Sequence, residues 1–337
     1  MTIERDGNTA TLLPNGLVLV AGGQDRHSVP LASAELYDPK TGRFSPTGSM
    51  AYPRALHAAA LLADGSVLIV GGTGRSGFVA QAEIYDSTTG KFGPAGSLAI
   101  ARVYHAAAPL PDGRVLIAGG RDSMSTRLDS AEVYDPKTGK FSAVGSMKTA
   151  RDNATATLLP TGRVLVAGGD DLSGPLATAE LFDPSTGVFI QTGSMAAARD
   201  VHTATPLSDG RVLIAGGEGM QGAHIVALAS CELYNPASGM FSPTGPMSTG
   251  RAYHSAVALA DGHVLVLGGQ GTGPLFLATA DLYDLRAGTF SSAGSMATAR
   301  AGRPAVALLT DDRVLVAGGL GSDDYSVISA ELYQRKE

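Results

Sequence analysis

The chain has no tryptophan and one cysteine, Cys231, in 337 residues. A single thiol closes no intrachain disulfide, so a small disulfide-stapled scaffold is excluded. Long apolar runs are also missing. Segments such as "RVLVAGG" fall far below the roughly 18 residues that cross a bilayer. The opening "MTIERDGNTATLLPNG" mixes both charge signs and has no basic stretch followed by an apolar one, so it does not read as a signal peptide. The expectation is a soluble cytoplasmic protein with no membrane partner, unless a leader has already been removed. A net charge of −6 argues against a broad basic surface, so no nucleic-acid partner is expected. Sustained 3.6-residue periodicity with caps is absent as well, which leaves no helix of consequence.

What is abundant is glycine, 44 residues, alongside 18 prolines and a 44% hydrophobic content. That composition suits a packed, turn-rich fold rather than a disordered chain. The glycines are ordered. Pairs fall at 22–23, 71–72, 119–120, 168–169, 216–217, 268–269 and 318–319, spaced by 49, 48, 49, 48, 52 and 50 residues. Three further markers recur in fixed order. "AELYD" or a variant begins at 34, 82, 131, 179, 231, 280 and 330. "TGxF" or a variant ends at Phe44, Phe92, Phe141, Phe189, Phe241 and Phe290. "GSMxxxR" or a variant ends at Arg54, Arg102, Arg151, Arg199, Arg251 and Arg300, and Met1 with Arg5 fits its tail.

Each unit reads as four short strands. The first two, such as "ATATLL" and "RVLVAG", flank Asn-Gly or Asp-Gly, the signature of a two-residue type I′ hairpin. The third holds "AELYD", and a "DPKTG" turn leads into the fourth. One such sheet cannot bury both faces, whereas seven stacked about an axis can. The predicted fold is all-β, a single seven-bladed propeller with approximate repeats 1–49, 50–97, 98–146, 147–194, 195–246, 247–295 and 296–337. The recurring Gly pair, Tyr and TGxF resemble the kelch repeats of galactose oxidase-like propellers over essentially the whole chain. Phe stands where those repeats usually carry tryptophan in the last strand. The resemblance implies that the first strand of each blade lies nearest the central channel.

The two ends leave the count uneven. Seven first, second and third strands are expected but six fourth strands, because the chain stops at "AELYQRKE". Either a native three-stranded last blade or a start site set too late explains this. The expected consequence is an exposed edge at 328–333, through which an otherwise monomeric chain could pair with another.

Comparing copies within one chain separates frame from site. The seven arginines of the fourth marker recur in every blade, as do Glu35, Glu83, Glu132, Glu180, Glu232, Asp281 and Glu331. They are expected to form Arg–carboxylate pairs. The third-strand tyrosines, with Phe182, are expected to pack between blades. Cys231 takes a slot filled elsewhere by alanine and reads as a small buried hydrophobe. Kelch enzymes of the galactose oxidase type use copper with a Cys-crosslinked Tyr. Here the Tyr104-His105 and Tyr253-His254 pairs sit on nearly opposite blades, and copper chemistry is not expected. "GTGRSG" at 72–77 leads into a strand rather than a helix, so it makes no phosphate site.

Two positions vary where the frame is constant: just after each recurring Arg, and just after each Gly pair. Both are expected at one mouth of the channel. The first set includes Asp6-Gly7, Val103-Tyr104, Asp152-Asn153, Asp200-Val201, Ala252-Tyr253 and Ala301-Gly302. The second is Gln24, Thr73, Arg121, Asp170, Glu218, Gln270 and Leu320. Blades four and five gather Asp152, Asn153, Asp170, Asp171, Asp200 and Glu218 with no evident local cation, while Arg75, Arg121 and Arg127 lie on blades two and three. Three readings stand open: a solvated acidic rim, a polar small-molecule pocket, or a Ca²⁺ site, with no metal ligands assigned. In an enzyme, Asp152 or Asp200 would be the base, Tyr104 or Tyr253 an acid, and Arg121 an anion clamp. Lyase, isomerase, hydrolase or cyclase chemistry would suit them. The alternative is a non-catalytic scaffold for protein or carbohydrate.

Overall fold

The second strand of every blade is a four-residue run of Val, Leu, Ile and Ala, from Val18–Ala21 to Val314–Ala317, and every residue in these runs is buried. β-Branched residues suit such doubly covered strands, and fully burying one Val or Leu side chain contributes roughly 1.5–3 kcal/mol. The computed structural model describes residues 1–273 and 275–335. It contains seven antiparallel sheets in which these runs lie next to the first strand, as in Thr9–Leu12, Val18–Ala21, Ala34–Asp38 and Arg43–Pro46 of blade one.

First strands of consecutive blades adjoin all the way round, and Thr9–Leu12 of blade one meets Ala305–Leu308 of blade seven. The ring is therefore closed and its innermost strand is the first. The core is divided among the seven blade-to-blade interfaces. At the closing one, Val18, Val20 and Tyr37 pack against Ala307, Leu309, Leu315 and Ala317. Third-strand rings do bridge blades: Tyr85 joins the core of blade one, and its hydroxyl lies 2.8 Å from Thr47 Oγ1. In six blades the third-strand ring also packs on the fourth-strand Phe, with centroids 4.8 to 4.9 Å apart.

The hairpin turns differ from expectation. In Leu13–Leu17, Gly16 N–H donates to Leu13 O and Leu13 N–H to Leu17 O, and Gly16 has φ 83° while Asn15 does not have positive φ. This is a type I turn closed by a left-handed glycine, not a type I′ turn. The Asn or Asp serves another purpose, accepting the N–H two residues on, as Asp64 Oδ1 does from Ser66 at 3.0 Å. Short hairpins also rise between second and third strands, one of them pairing Glu218–Gln221 with His224–Ala227.

Blade seven has three strands among the described residues, and Ala330–Tyr333 pairs on one side only, with Val314–Ala317. Ile328 is 50% exposed and Leu332 39%, so this is the expected open edge. The N-terminal segment helps to fasten this blade instead: Arg5 N–H donates to Val327 O, and Gly319 N–H to Arg5 O. No helix in the described residues is long and apolar enough to cross a membrane.

Candidate functional site

Each recurring arginine is fully buried and holds its blade together at one end of the channel. Arg151 shows the pattern: Nη1 donates to Gly168 O and Thr178 O, and Nη2 to Glu180 Oε1 at 3.1 Å. The carboxylate in turn accepts the N–H groups of Lys148 and Thr149. All seven Arg–carboxylate pairs form, so these residues are frame. The chain leaving this anchor is held by a two-way backbone pair in every blade: Asp6 with Gln24, Ala55 with Thr73, Val103 with Arg121, Asp152 with Asp170, Asp200 with Glu218, Ala252 with Gln270 and Ala301 with Leu320. The two variable sets thus share one mouth.

One residue further in, the backbone bends into the left-handed region. Gly7, Leu56, Tyr104, Asn153, Val201, Tyr253 and Arg303 form this inner ring, with φ between 43° and 63°. Neighbours are linked in part by backbone bonds, such as Asn153 N–H to Tyr104 O at 2.9 Å and Arg303 N–H to Tyr253 O at 2.8 Å. For β-branched Val201 such a φ is strained, and strain of this kind gathers at functional sites.

Arg303 was not among the residues singled out from sequence; Gly302 was placed there. The signal was present. From the recurring Arg to the carbonyl of the first paired glycine the spacing is 17 residues in six blades and 18 in the seventh. The additional residue pushes Arg303 into the inner ring, and its side chain crosses to blade four, where Nη2 donates to Asn153 Oδ1 at 2.9 Å.

The acidic sector is not without cations. Arg121 Nε lies 2.7 Å from Asp152 Oδ2, Arg127 Nε lies 3.4 Å from the same oxygen, and Arg127 Nη2 lies 2.6 Å from Asp170 Oδ1. The arginines of blade three therefore face the acids of blade four directly, because adjacent blades bring the two walls together. The pairing bears on two residues singled out from sequence. Asp152, fully buried, has its Oδ2 facing the guanidinium groups of Arg121 and Arg127 and its Oδ1 bonded by Asn153 Nδ2 at 3.2 Å. Arg121 is no free anion clamp, and it also covers the Tyr104 ring at 5.3 Å.

Other assignments scatter. Arg75 is exposed on a hairpin tip between Thr73–Gly74 and Gly77–Phe78. Asp171 Oδ1 accepts Ser173 N–H within a neighbouring hairpin turn. Gln270 Nε2 donates to Gly273 O, and Gln24 Nε2 reaches Asp6 Oδ2 at 3.4 Å.

Two carboxyls remain short of partners. Asp200 is 8% exposed with Oδ1 unpartnered, and Asp6 is 4% exposed with Oδ1 unpartnered. Burial, then the charges of Glu218 and Asp170, pushes Asp200 up to about 7. Burial raises Asp6 to about 6. Glu218 is raised by burial and by Asp170, and Tyr253 to about 12 by burial, Glu218 and Asp200. The arrangement can hold a proton near neutral pH beside a half-buried guanidinium.

The histidines behind the ring are structural. His57, His202 and His254 place Nε2 within 3.0 to 3.1 Å of a Thr hydroxyl on the preceding blade. Burial depresses all four, His57, His105 and His254 to about 3. Cys231 is buried, and burial lifts its thiol to about 11. Among the described residues no three His, Cys, Asp or Glu side chains are grouped to share a metal ion.

A family model for the Kelch motif matches residues 8–51 and 102–148. Together with seven repeats closing on one channel, six of them carrying the TGxF marker, this decides the class. The chain is a kelch-repeat β-propeller. Among solved structures, a fungal alcohol oxidase of the AA5 family in complex with copper is similar to this propeller, with 19% identity and TM-score 0.76, over 96% of this chain and 73% of that one. The structure of YjhT is similar at 13% identity and TM-score 0.68, over 86% of this propeller and 97% of YjhT. At such identities the likeness is one of fold. No curated protein matches this kelch propeller.

Proposed function

We propose that this propeller binds a small polar molecule over the channel mouth and performs acid/base chemistry on it through Asp200. The observation that supports this reading is the Asp200 carboxyl, buried, with Oδ1 unpartnered and a proton affinity near neutrality. A general acid or base works best when its pKa lies near the working pH. Glu218, paired to Asp200 through the backbone, is the second carboxyl of the site. Tyr253 supplies a hydroxyl that stays protonated at neutral pH. Arg303 supplies positive charge for an anion that develops in the reaction. Proton transfer in lyase, isomerase, hydrolase or cyclase reactions suits these groups.

The second reading is a scaffold for protein or carbohydrate, favoured by the hairpin Glu218–Gln221 and His224–Ala227, which exposes Met220 and Ile225. The two separate by experiment. Wild type and Asp200→Asn are incubated with a panel of polyols, sugars and small organic acids, and each mixture is followed by proton NMR. Turnover in wild type that is lost in Asp200→Asn, with binding retained, supports the catalytic reading. Binding without turnover in both would leave the scaffold.

A further inference from the structure

Arginine carries five N–H donors and its charge is costly to bury without an anion. Among the described residues, every arginine that is buried or half-buried has a carboxylate oxygen within 4.0 Å, except Arg303. Its guanidinium has one side-chain bond, to the neutral amide oxygen of Asn153. The charged and titratable groups that interact with it are Tyr253, Asp200, Tyr104, Asp152, His202 and His254. None of them closes an ion pair with it. Beside it lies a cavity of about 100 Å³ lined by Gly7, Asn8, Leu56, His57, Tyr104, His105 and Gly302. Gly7 of the inner ring and Gly302, the residue before Arg303, carry no side chain there; a Cβ on Gly7 would run into Leu56, and one on Gly302 into the Asp6 carboxylate.

Resting on the small-molecule reading of the mouth, we infer that Arg303 is its anion-binding residue and that the ligand class is a small monocarboxylate seated in this cavity. The planar guanidinium fork matches a carboxylate with two parallel N–H···O bonds. A phosphate dianion suits the place less well, because Arg121 and Arg127 offset only Asp152 and Asp170, and a second negative charge would face Asp200 and Glu218 at the same mouth. Arg121 and Arg127 cannot serve, since their N–H groups are spent on Asp152 and Asp170. A carboxylate held on Arg303 brings the rest of the molecule between the inner ring and Asp200.

The test is a titration of the full chain with acetate, propionate and lactate, each beside its uncharged amide, at constant ionic strength set with sodium chloride. Amide shifts of Gly7, Leu56 and Gly302 in ¹⁵N NMR report occupancy. The expected result is saturable shifts with a carboxylate, none with the matching amide, and affinity about tenfold or more weaker in Arg303→Gln. Arg303→Lys should recover part of it, and Asn153→Ala, which frees the guanidinium from its one anchor, should weaken binding by a smaller factor. Asp200→Asn should still bind. Equal affinity in Arg303→Gln, binding of phosphate as tight as carboxylate, or an effect no larger than that of chloride would overturn the inference. Neutral ligands that shift the same amides in wild type and in Arg303→Gln would overturn it while leaving the small-molecule reading intact. Silence to charged and neutral probes alike would overturn both.

Discussion

Arg303 on blade seven and Asn153 on blade four, 150 residues apart in sequence, meet across the channel mouth at 2.9 Å. A ring of blades makes the contact possible, since positions far apart in sequence point at a common axis. The charges of Asp200 and Asp152 both act on the guanidinium, and its own charge acts on Asp200. Its effect on Asp200 is measurable.

Arg303→Met should raise the titration midpoint of Asp200 above about 7. The guanidinium lowers that pKa and burial raises it, so removing the charge leaves burial, Glu218 and Asp170 unopposed. Carboxyl ¹³C NMR across pH 5 to 9 reads the midpoint. A midpoint that stays or falls would show that Arg303 does not act on Asp200.

Asp200 should make folding less favourable as pH rises. Its folded value of about 7 lies above the ordinary 3.8, so between those values the folded chain holds more protons than the unfolded one. Stability from this group is therefore full below pH 4, declines through the window to 7, and is flat above it. Asp6, raised to about 6, adds to the slope in the lower part of that window. At about 1.4 kcal/mol per pKa unit, reduced for local relaxation, Asp200→Asn should stabilise the protein by about 2 kcal/mol at pH 8 and by little at pH 4. Urea denaturation of both proteins at the two pH values checks it, and a variant less stable at pH 8 would refute the placement of this carboxyl.

The frame pairs should differ in weight by location. Glu180→Gln leaves Arg151, fully buried, without its carboxylate and should cost roughly 3–5 kcal/mol. Glu331, 21% exposed beside the open edge, is screened by water, and Glu331→Gln should cost about 1 kcal/mol. Equal shifts of the two denaturation midpoints would contradict this.

The edge itself should exchange. Amides of Ala330–Tyr333 that lack a fourth-strand partner should lose protection well before those of Ala179–Asp183, which pairs on both sides. Hydrogen exchange followed by NMR compares them in one sample. Strong protection at 330–333 would mean that another strand covers the edge.

Most of the architecture was legible because it repeats. Seven arginines matched by seven acids, with paired glycines between them, allow a single chain to serve as its own comparison, and frame residues stood out by recurrence. Turn type was less legible. Asn-Gly and Asp-Gly suit two hairpin geometries, and the choice rests on which carbonyl the glycine N–H meets. The mouth was legible as a place, since the variable positions follow fixed markers, but not as a set of partners. Asp152 and Arg121 lie on different blades, and nothing in their local sequence says that one will neutralise the other.

Local chemistry and repetition were enough to determine a seven-bladed propeller with its arginine anchors and an open edge on the last blade, while the innermost place of the first strands was implied by the resemblance to kelch repeats. These depend on patterns within single repeats, where burial of alternating faces and the demands of tight turns act over a few residues. Tertiary structure alone decided which charges meet, because ring closure sets the distances between blades and burial sets the proton affinities. It paired Asp152 with arginine, left Asp200 unpaired in a buried site, and drew Arg303 across the channel by the insertion of one residue.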